Sequence, residues 1–252
     1  MIKKITAAGI ACTLALAVCG TATAAKLRVA TEFSYAPFEY VDTKSGNLVG
    51  FDIDLVRLLA KKSGNTVEFI GMNFDSILAS VRTGMVDAGV AGITITESRA
   101  RRVLFSDPYY KGGLSIITST ENASKIRTAF DLRNKVICVQ IGTSGADLAR
   151  KIDGTAVRSF NTAGETFLEL GNGGCQAVVG DRPVNDYYMR VAKDAEKFAH
   201  SAGTLRSEDY GIIFGRKKAD IRAQFNAALK EIKESGEYRD LYVKWFGQAP
   251  AE

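Results

Sequence analysis

The spacing of apolar and polar residues changes period along the chain, and the changes outline its elements. Residues 27–31 form a short β-rich run. Ile53, Val56, Leu59 and Ala60 then recur at the helical period behind Asp52, a capping residue type, until Gly64. The periods predict a strand over 66–70, a helix over 75–83 stopped by Gly84, and a strand over 86–91. Strand and helix alternate, the pattern of parallel βαβ units. After an apolar run at 113–118 the pattern restarts with a strand at 135–140, a helix at 146–152 and a strand at 157–160. A helix to Gly171 follows, opened by the capping-box pair Thr162 and Glu165, and then a strand at 177–180. The last part differs. Ile221, Phe225, Ala228, Leu229 and Ile232 mark a long helix ended by Gly236, and an aromatic helix follows over 237–246. These periods predict two α/β units of similar size with helical closure.

Residues 1–24 follow another logic. Lys3 and Lys4 give a basic start, 5–18 an apolar stretch, and Ala22-Thr23-Ala24 a small-residue cleavage site, the layout of a signal peptide with the mature chain starting at Ala25. The stretch is short for a span, and no later segment approaches ~18 consecutive apolar residues, so an exported soluble protein is expected rather than an integral membrane one. Leu16-Ala17-Val18-Cys19 also resembles a lipoprotein box, but Val18 stands where that box has a small residue; anchoring at Cys19 is the minor alternative.

Removal of Lys3 and Lys4 lowers the formal net charge from +5 to +3, spread without a polybasic run, which does not favour nucleic-acid binding. Cys138 and Cys175 remain in the mature chain, and an exported pair is open to either a disulfide or buried free thiols. His200 is the single histidine, and no Cys/His cluster has metal-ligand spacing. Neither a metal site nor a Ser-His-Asp triad is favoured, and no cofactor is expected.

The segments "ATEFSYAPFEY", "LVGFDIDL", "AGITITESR" with "FSDPYY", "GTSG", "VVGDRPV" and "YRDLYVKWFG" occur in the order and spacing of the extracytoplasmic amino-acid-binding proteins of bacterial ABC importers. Over essentially the whole mature chain the protein resembles that family of periplasmic solute-binding proteins, family 3, including its glutamine- and basic-amino-acid-binding members. The resemblance implies a type II two-lobe hinged fold, each lobe a mostly parallel sheet flanked by helices. Lobe 1 would comprise 26–111 plus 207–248 and lobe 2 would comprise 112–206, with two crossover strands near 110–113 and 205–210. It also implies a periplasmic location, a free amino acid as ligand, permease subunits in the inner membrane as partners, and a monomer without enzymatic activity.

A free amino acid carries a carboxylate and an ammonium, so its binder needs a cation and an anion in fixed opposition. Arg99 matches the family's arginine, whose planar fork suits a carboxylate. Ala91 and Gly92 would bring backbone to the ligand, and Thr94 an N–H and a hydroxyl. "QIGTSGADLA" follows a strand and opens a helix, so free N–H groups near Thr143 and Ser144 form an anion-friendly niche. Ala146-Asp147 stands where a phosphate loop needs Lys-Ser/Thr. By analogy Asp181 takes the α-ammonium, while Tyr35 and Phe74 pack against the ligand's stem or end group. Glu32 falls at the far end of the pocket, and Gln140 is neutral where glutamine-binding relatives have lysine. One added anion and one missing cation favour arginine, lysine or histidine as ligand, with glutamine the alternative. Further alternatives on the same fold are a dehydratase using Glu32 as general acid and a sensory module.

Overall fold

The computed structural model describes residues 26–201 and 203–250; the signal-peptide and Cys19 expectations lie outside the described residues. The first part of the chain runs β1 (Lys26–Thr31), β2 (Ser34–Tyr35), β3 (Glu39–Val41), β4 (Leu48–Val49), α1 (Phe51–Lys62), β5 (Thr66–Gly71), α2 (Phe74–Thr83), β6 (Ala88–Gly89), α3 (Glu97–Ala100) and β7 (Leu104–Phe105). The middle comprises β8 (Tyr110–Ser119), β9 (Val136–Gln140), α4 (Ser144–Ala149), β10 (Ala156–Phe160), α5 (Ala163–Gly171), β11 (Ala177–Asp181), α6 (Arg182–Val191), β12 (Phe198–His200) and β13 (Arg206–Tyr210). β14 (Ile213–Phe214), α7 (Ala219–Ser235) and α8 (Glu237–Phe246) complete it.

Two main sheets result. The first has the order β5-β1-β6-β14-β7, and the second the order β10-β9-β11-β8-β12 with β13 also paired to β8. As expected, each sheet is mostly parallel, with one reversed strand that makes it mixed. β1, β5 and β6 are mutually parallel, as are β9, β10 and β11, but β14 runs against β6 and β7, and β8 runs against β11, β12 and β13. The reversed strand of the second sheet, β8, carries the chain away from the first sheet, and β13 carries it back. β8 and β13 pair Tyr110 with Tyr210 and Leu114 with Arg206, forming a two-stranded connection between the sheets.

Helix α7 shows why the predicted pattern holds. Ile221, Phe225, Ala228, Leu229 and Ile232 are all buried on one face, and Gly236 ends the helix in the left-handed conformation. Each such fully buried Leu or Ile contributes roughly 1.5–3 kcal/mol of burial free energy. The end of the connection at Tyr110 and Tyr210 is held by aromatics. Tyr110 and Tyr210 stack at 5.4 Å, and Phe38 meets Tyr110 edge-on at 5.0 Å. Gly112 permits this approach, because a Cβ there would sit 2.6 Å from the Tyr210 ring. Cys138 and Cys175 form a disulfide, with Cα atoms 5.9 Å apart, inside the apolar cluster of the second sheet.

Several local expectations change. Asp52 does not cap α1: Gly50 holds that place, and Asp52 lies in the first turn, fully buried, accepting from the Gly92 N–H at 2.9 Å and the Tyr109 hydroxyl at 2.7 Å. A tertiary demand for an acceptor outweighs its local capping preference. The strand expected over 86–91 shrinks to Ala88–Gly89, where only those residues find a ladder partner, and the helix expected from 146 starts at Ser144 and ends at Ala149.

Candidate functional site between the two sheets

The site forms where the loops after β1, β6, β9 and β11 meet, at the carboxyl edges of the parallel strands. Its centre is Arg99, 8% exposed on the short α3. Its guanidinium donates to the Thr94 carbonyl at 2.8 Å and to the Gly142 carbonyl at 3.0 Å, one acceptor preceding α3 and one preceding α4. The two bonds fix the fork's plane and leave further N–H groups for an anion. The guanidinium also lies 5.5 Å from the Phe74 ring, so the cation that half-buried Phe74 faces is Arg99 itself. Burial draws the Arg99 pKa down from its usual value, and the carboxylates of Asp181 and Glu208 oppose that shift.

Asp181 ends β11, as expected, and is also 8% exposed. It precedes α6 without capping it, and instead its Oδ2 accepts from the Tyr35 hydroxyl at 2.6 Å, a bond from the small sheet β2-β3-β4 to the end of β11 in the second main sheet. The sequence reading used only the ring of Tyr35; the hydroxyl matters as well. Burial pushes the Asp181 carboxyl up to about 7, with the Tyr35 bond opposing and Glu208 reinforcing the shift. A narrow indentation of about 20 Å³, room for about one water, adjoins this pair, lined by Tyr35, Gln140, Thr143, Thr166, Asp181 and Asn185 among others.

Glu32 and Gln140 meet directly. Glu32, 4% exposed, accepts from the Ser34 hydroxyl at 2.6 Å and from Gln140 Nε2 at 2.7 Å; the same Nε2 donates to the Asn161 carbonyl at 3.0 Å. Two acceptors thus set the direction of the amide and leave Gln140 Oε1 as an acceptor. Burial raises the Glu32 pKa against the lowering effect of the Ser34 and Gln140 bonds.

At the niche near Thr143 and Ser144 the hydroxyls are already engaged. The Thr143 hydroxyl accepts from the Ala146 N–H at 3.1 Å and donates to the Gln140 carbonyl at 2.8 Å, so it caps α4 rather than offering itself to a ligand. The Thr94 and Ser144 hydroxyls point to a residue that the sequence reading missed, Glu208, whose Oε2 accepts from them at 2.7 and 2.6 Å. The signal was present: counting back by two from Tyr210 places Glu208 on the buried face of β13. Ala91 is fully buried; Gly92 adopts φ 51°, and a Cβ there would stand 3.1 Å from the Tyr35 ring. Arg101 and Arg102 stay outside, in an exposed pair with Glu97 and in bonds to Ser98.

His200 supplies an arrangement that composition did not favour. Its Nε2 lies 2.7 Å from Ser115 Oγ and its Nδ1 2.8 Å from Asp186 Oδ1, the connectivity of a hydrolytic triad. Ser115 is fully buried within β8 and takes a further bond from Asn185 at 2.9 Å. The group therefore ties β8, α6 and β12 together. No group of three or more His, Cys, Asp or Glu side chains suited to a metal occurs among the described residues, and no helix there is long and apolar enough to cross a membrane.

A buried arginine and a buried aspartate, held between two mixed α/β sheets joined by paired strands, define a hinged binding protein for a small zwitterion. The chain matches the family of bacterial extracellular solute-binding proteins, family 3, over residues 27–248, and it belongs to that family. It is 33% identical to the arginine-binding periplasmic protein of Mannheimia haemolytica over 87% of this chain and 90% of that one. Among solved structures it resembles an ancestral arginine-binding protein bound to arginine, with TM-score 0.84 and 38% identity over 88% of this chain and 98% of that one. It also resembles the arginine-, lysine-, histidine-binding protein ArtJ of Geobacillus stearothermophilus, with TM-score 0.83 and 35% identity over 89% and 96%. The type II two-lobe fold inferred from the motifs is the fold of these neighbours.

Proposed function

We propose that the protein captures a free cationic L-amino acid, arginine, lysine or histidine, between its lobes and delivers it to the permease of an ABC importer. The observation that carries this reading is the set of buried charges: Arg99 faces a site otherwise furnished with the carboxyls of Glu32 and Asp181. Arg99 holds the ligand's carboxylate, Asp181 its ammonium, and Glu32 with Gln140 Oε1 accepts hydrogen bonds from a cationic side chain. Tyr35 and Phe74 wall the site, and the main chain at Ala91, Gly92, Thr94, Thr143 and Ser144 shapes its rim. The names of the relatives support this choice. A micromolar complex needs about −8 kcal/mol, which a ligand of about ten heavy atoms supplies below the ceiling of ~1.5 kcal/mol per atom.

The lobes in this reading are 26–111 with 207–248 and 112–206, moving about β8 and β13. The protein acts as an exported monomer in the periplasm and binds without turnover. The raised pKa of Glu32 keeps one rival in view, a dehydratase-type general acid. A thermal-shift screen of ligand-stripped protein against the common amino acids tests the proposal. A ligand at a hundred times its Kd adds ~2.7 kcal/mol of stability. Stabilisation by arginine, lysine or histidine is expected. Stabilisation by glutamine alone would overturn the cationic reading, no shift with any amino acid would overturn the site, and product from prephenate would establish the enzyme.

A further inference from the structure

The Glu208 carboxylate is a buried group between the two main sheets for which amino-acid capture, as described, has no use. Its side chain is 2% exposed, and it lies on β13, a strand of the connection between the lobes. One oxygen, Oε2, takes the Thr94 hydroxyl from the first-sheet side at 2.7 Å and the Ser144 hydroxyl from the second-sheet side at 2.6 Å. The two hydroxyls are 3.3 Å apart. The other oxygen, Oε1, takes Arg206 Nε at 2.9 Å and also the Arg206 terminal nitrogen, which reaches on to the Ser144 carbonyl at 3.4 Å. Every bond to this carboxylate is a donation to an ionised acceptor, the stronger kind of hydrogen bond.

We infer that Glu208 is a closure latch: a carboxylate anchored on the connecting strand that gathers one hydroxyl from each lobe and so retains the ligand. The chemistry follows from geometry. A hydroxyl has a single proton, so Thr94 and Ser144, donating to Glu208, have none left to donate to a bound carboxylate. Their side chains hold the lobes together, and the grip on the carboxylate falls to Arg99 and backbone N–H groups. Of the two hydroxyls, that of Ser144 is the one that separation of the lobes pulls away from Glu208. Thr94 is tied to β13 by its bridge to Tyr210 and keeps its place beside Glu208 when they part. Arg206 offsets the acid's charge, so the latch does not compete with Glu32 and Asp181 for the ligand's cationic groups.

The inference rests on amino-acid capture for its kinetic consequence but not for its geometry, and the test separates the two. Cysteine labels at Arg101→Cys and Asp147→Cys, exposed positions on the two sides, report the interlobe distance by pulsed electron spin resonance. The wild type and Glu208→Ala are compared with and without L-arginine. In the ligand-free state Glu208→Ala, which removes the acceptor, is expected to shift the distribution to longer distances. A chase of labelled arginine should show dissociation about tenfold faster with association changed less than about twofold, since encounter uses the open form. Ser144→Ala should also speed dissociation, and the double variant should be no faster than Glu208→Ala, because each removes one side of the same contact. Superimposable ligand-free distributions, or additive rate effects, would overturn the latch. If arginine and the other amino acids move no label in the wild type, the capture reading fails, while the ligand-free comparison still decides the latch.

Discussion

The two ends of the site are built differently. At the Arg99 end the functional group is held by main-chain carbonyls, those of Thr94 and Gly142, whereas at the Glu32 end the partners of the carboxylate are the side chains of Ser34 and Gln140. A main-chain cradle survives substitution of its residues; a side-chain cradle changes with every substitution. On the proposed function, the first would serve the part common to all amino acids, and the second the part that distinguishes them.

The sharpest way to break this contrast is at its rigid end. Arg99→Ala should abolish binding, at least a hundredfold in Kd by calorimetry, since removing one member of a buried charge pair costs ~3–5 kcal/mol. Asp181→Asn should weaken binding by a similar order for every amino acid, and the ligand-free protein should melt no lower, because a buried carboxyl has been relieved of its desolvation.

The acidity of Asp181 gives the same contrast a pH dependence. Its pKa, about 7 against an ordinary 3.8, means that its contribution to ligand-free stability is fully present below the ordinary value and is lost as pH rises through about 7. Binding of an ammonium needs the ionised form, so affinity should fall by up to about tenfold per unit as pH drops below 7. Calorimetry at pH 6 in buffers of different ionisation enthalpy should register proton release. Equal observed heats in every buffer, with no pH slope, would refute the role of Asp181.

The adaptable end should respond by ligand rather than uniformly. Glu32→Gln is expected to cost arginine about tenfold while leaving glutamine within about threefold, an asymmetry in the range of a charge-assisted hydrogen bond. Loss of both ligands alike would place Glu32 in the frame instead of the specificity end. Smallest of all, Arg101→Ala should change affinity by less than ~0.5 kcal/mol, the worth of the exposed pair with Glu97.

Much of this was legible along the chain, for reasons that particular residues make plain. Helix α8 has the predicted bounds, and the Thr162–Glu165 capping box forms, because local period and local hydrogen bonds decide both. The helix α6 and the strands β2 to β4 and β12 were not foreseen, and β13 was expected only through the family resemblance, as a crossover near 205–210; these short or polar segments are ordered by what lies against them. Asp52 shows the limit most clearly, since its sequence neighbourhood reads as a cap while its bonds go to Gly92 and Tyr109.

The periodicity by itself determined that two α/β units exist and where the C-terminal helices lie, and the motifs determined which arginine and which aspartate to watch. Periodicity and motif are properties of neighbours in sequence, so they survive without coordinates. Only the tertiary structure decided that Cys138 joins Cys175, that Tyr35 reaches Asp181, and that Gln140 meets Glu32. The same holds for Glu208, which collects Thr94 and Ser144. Each of these is a bond between residues far apart in the chain, and a side chain's hydrogen-bond partner is set by distance in space and the cost of leaving a buried polar group unpaired, neither of which the order of residues records.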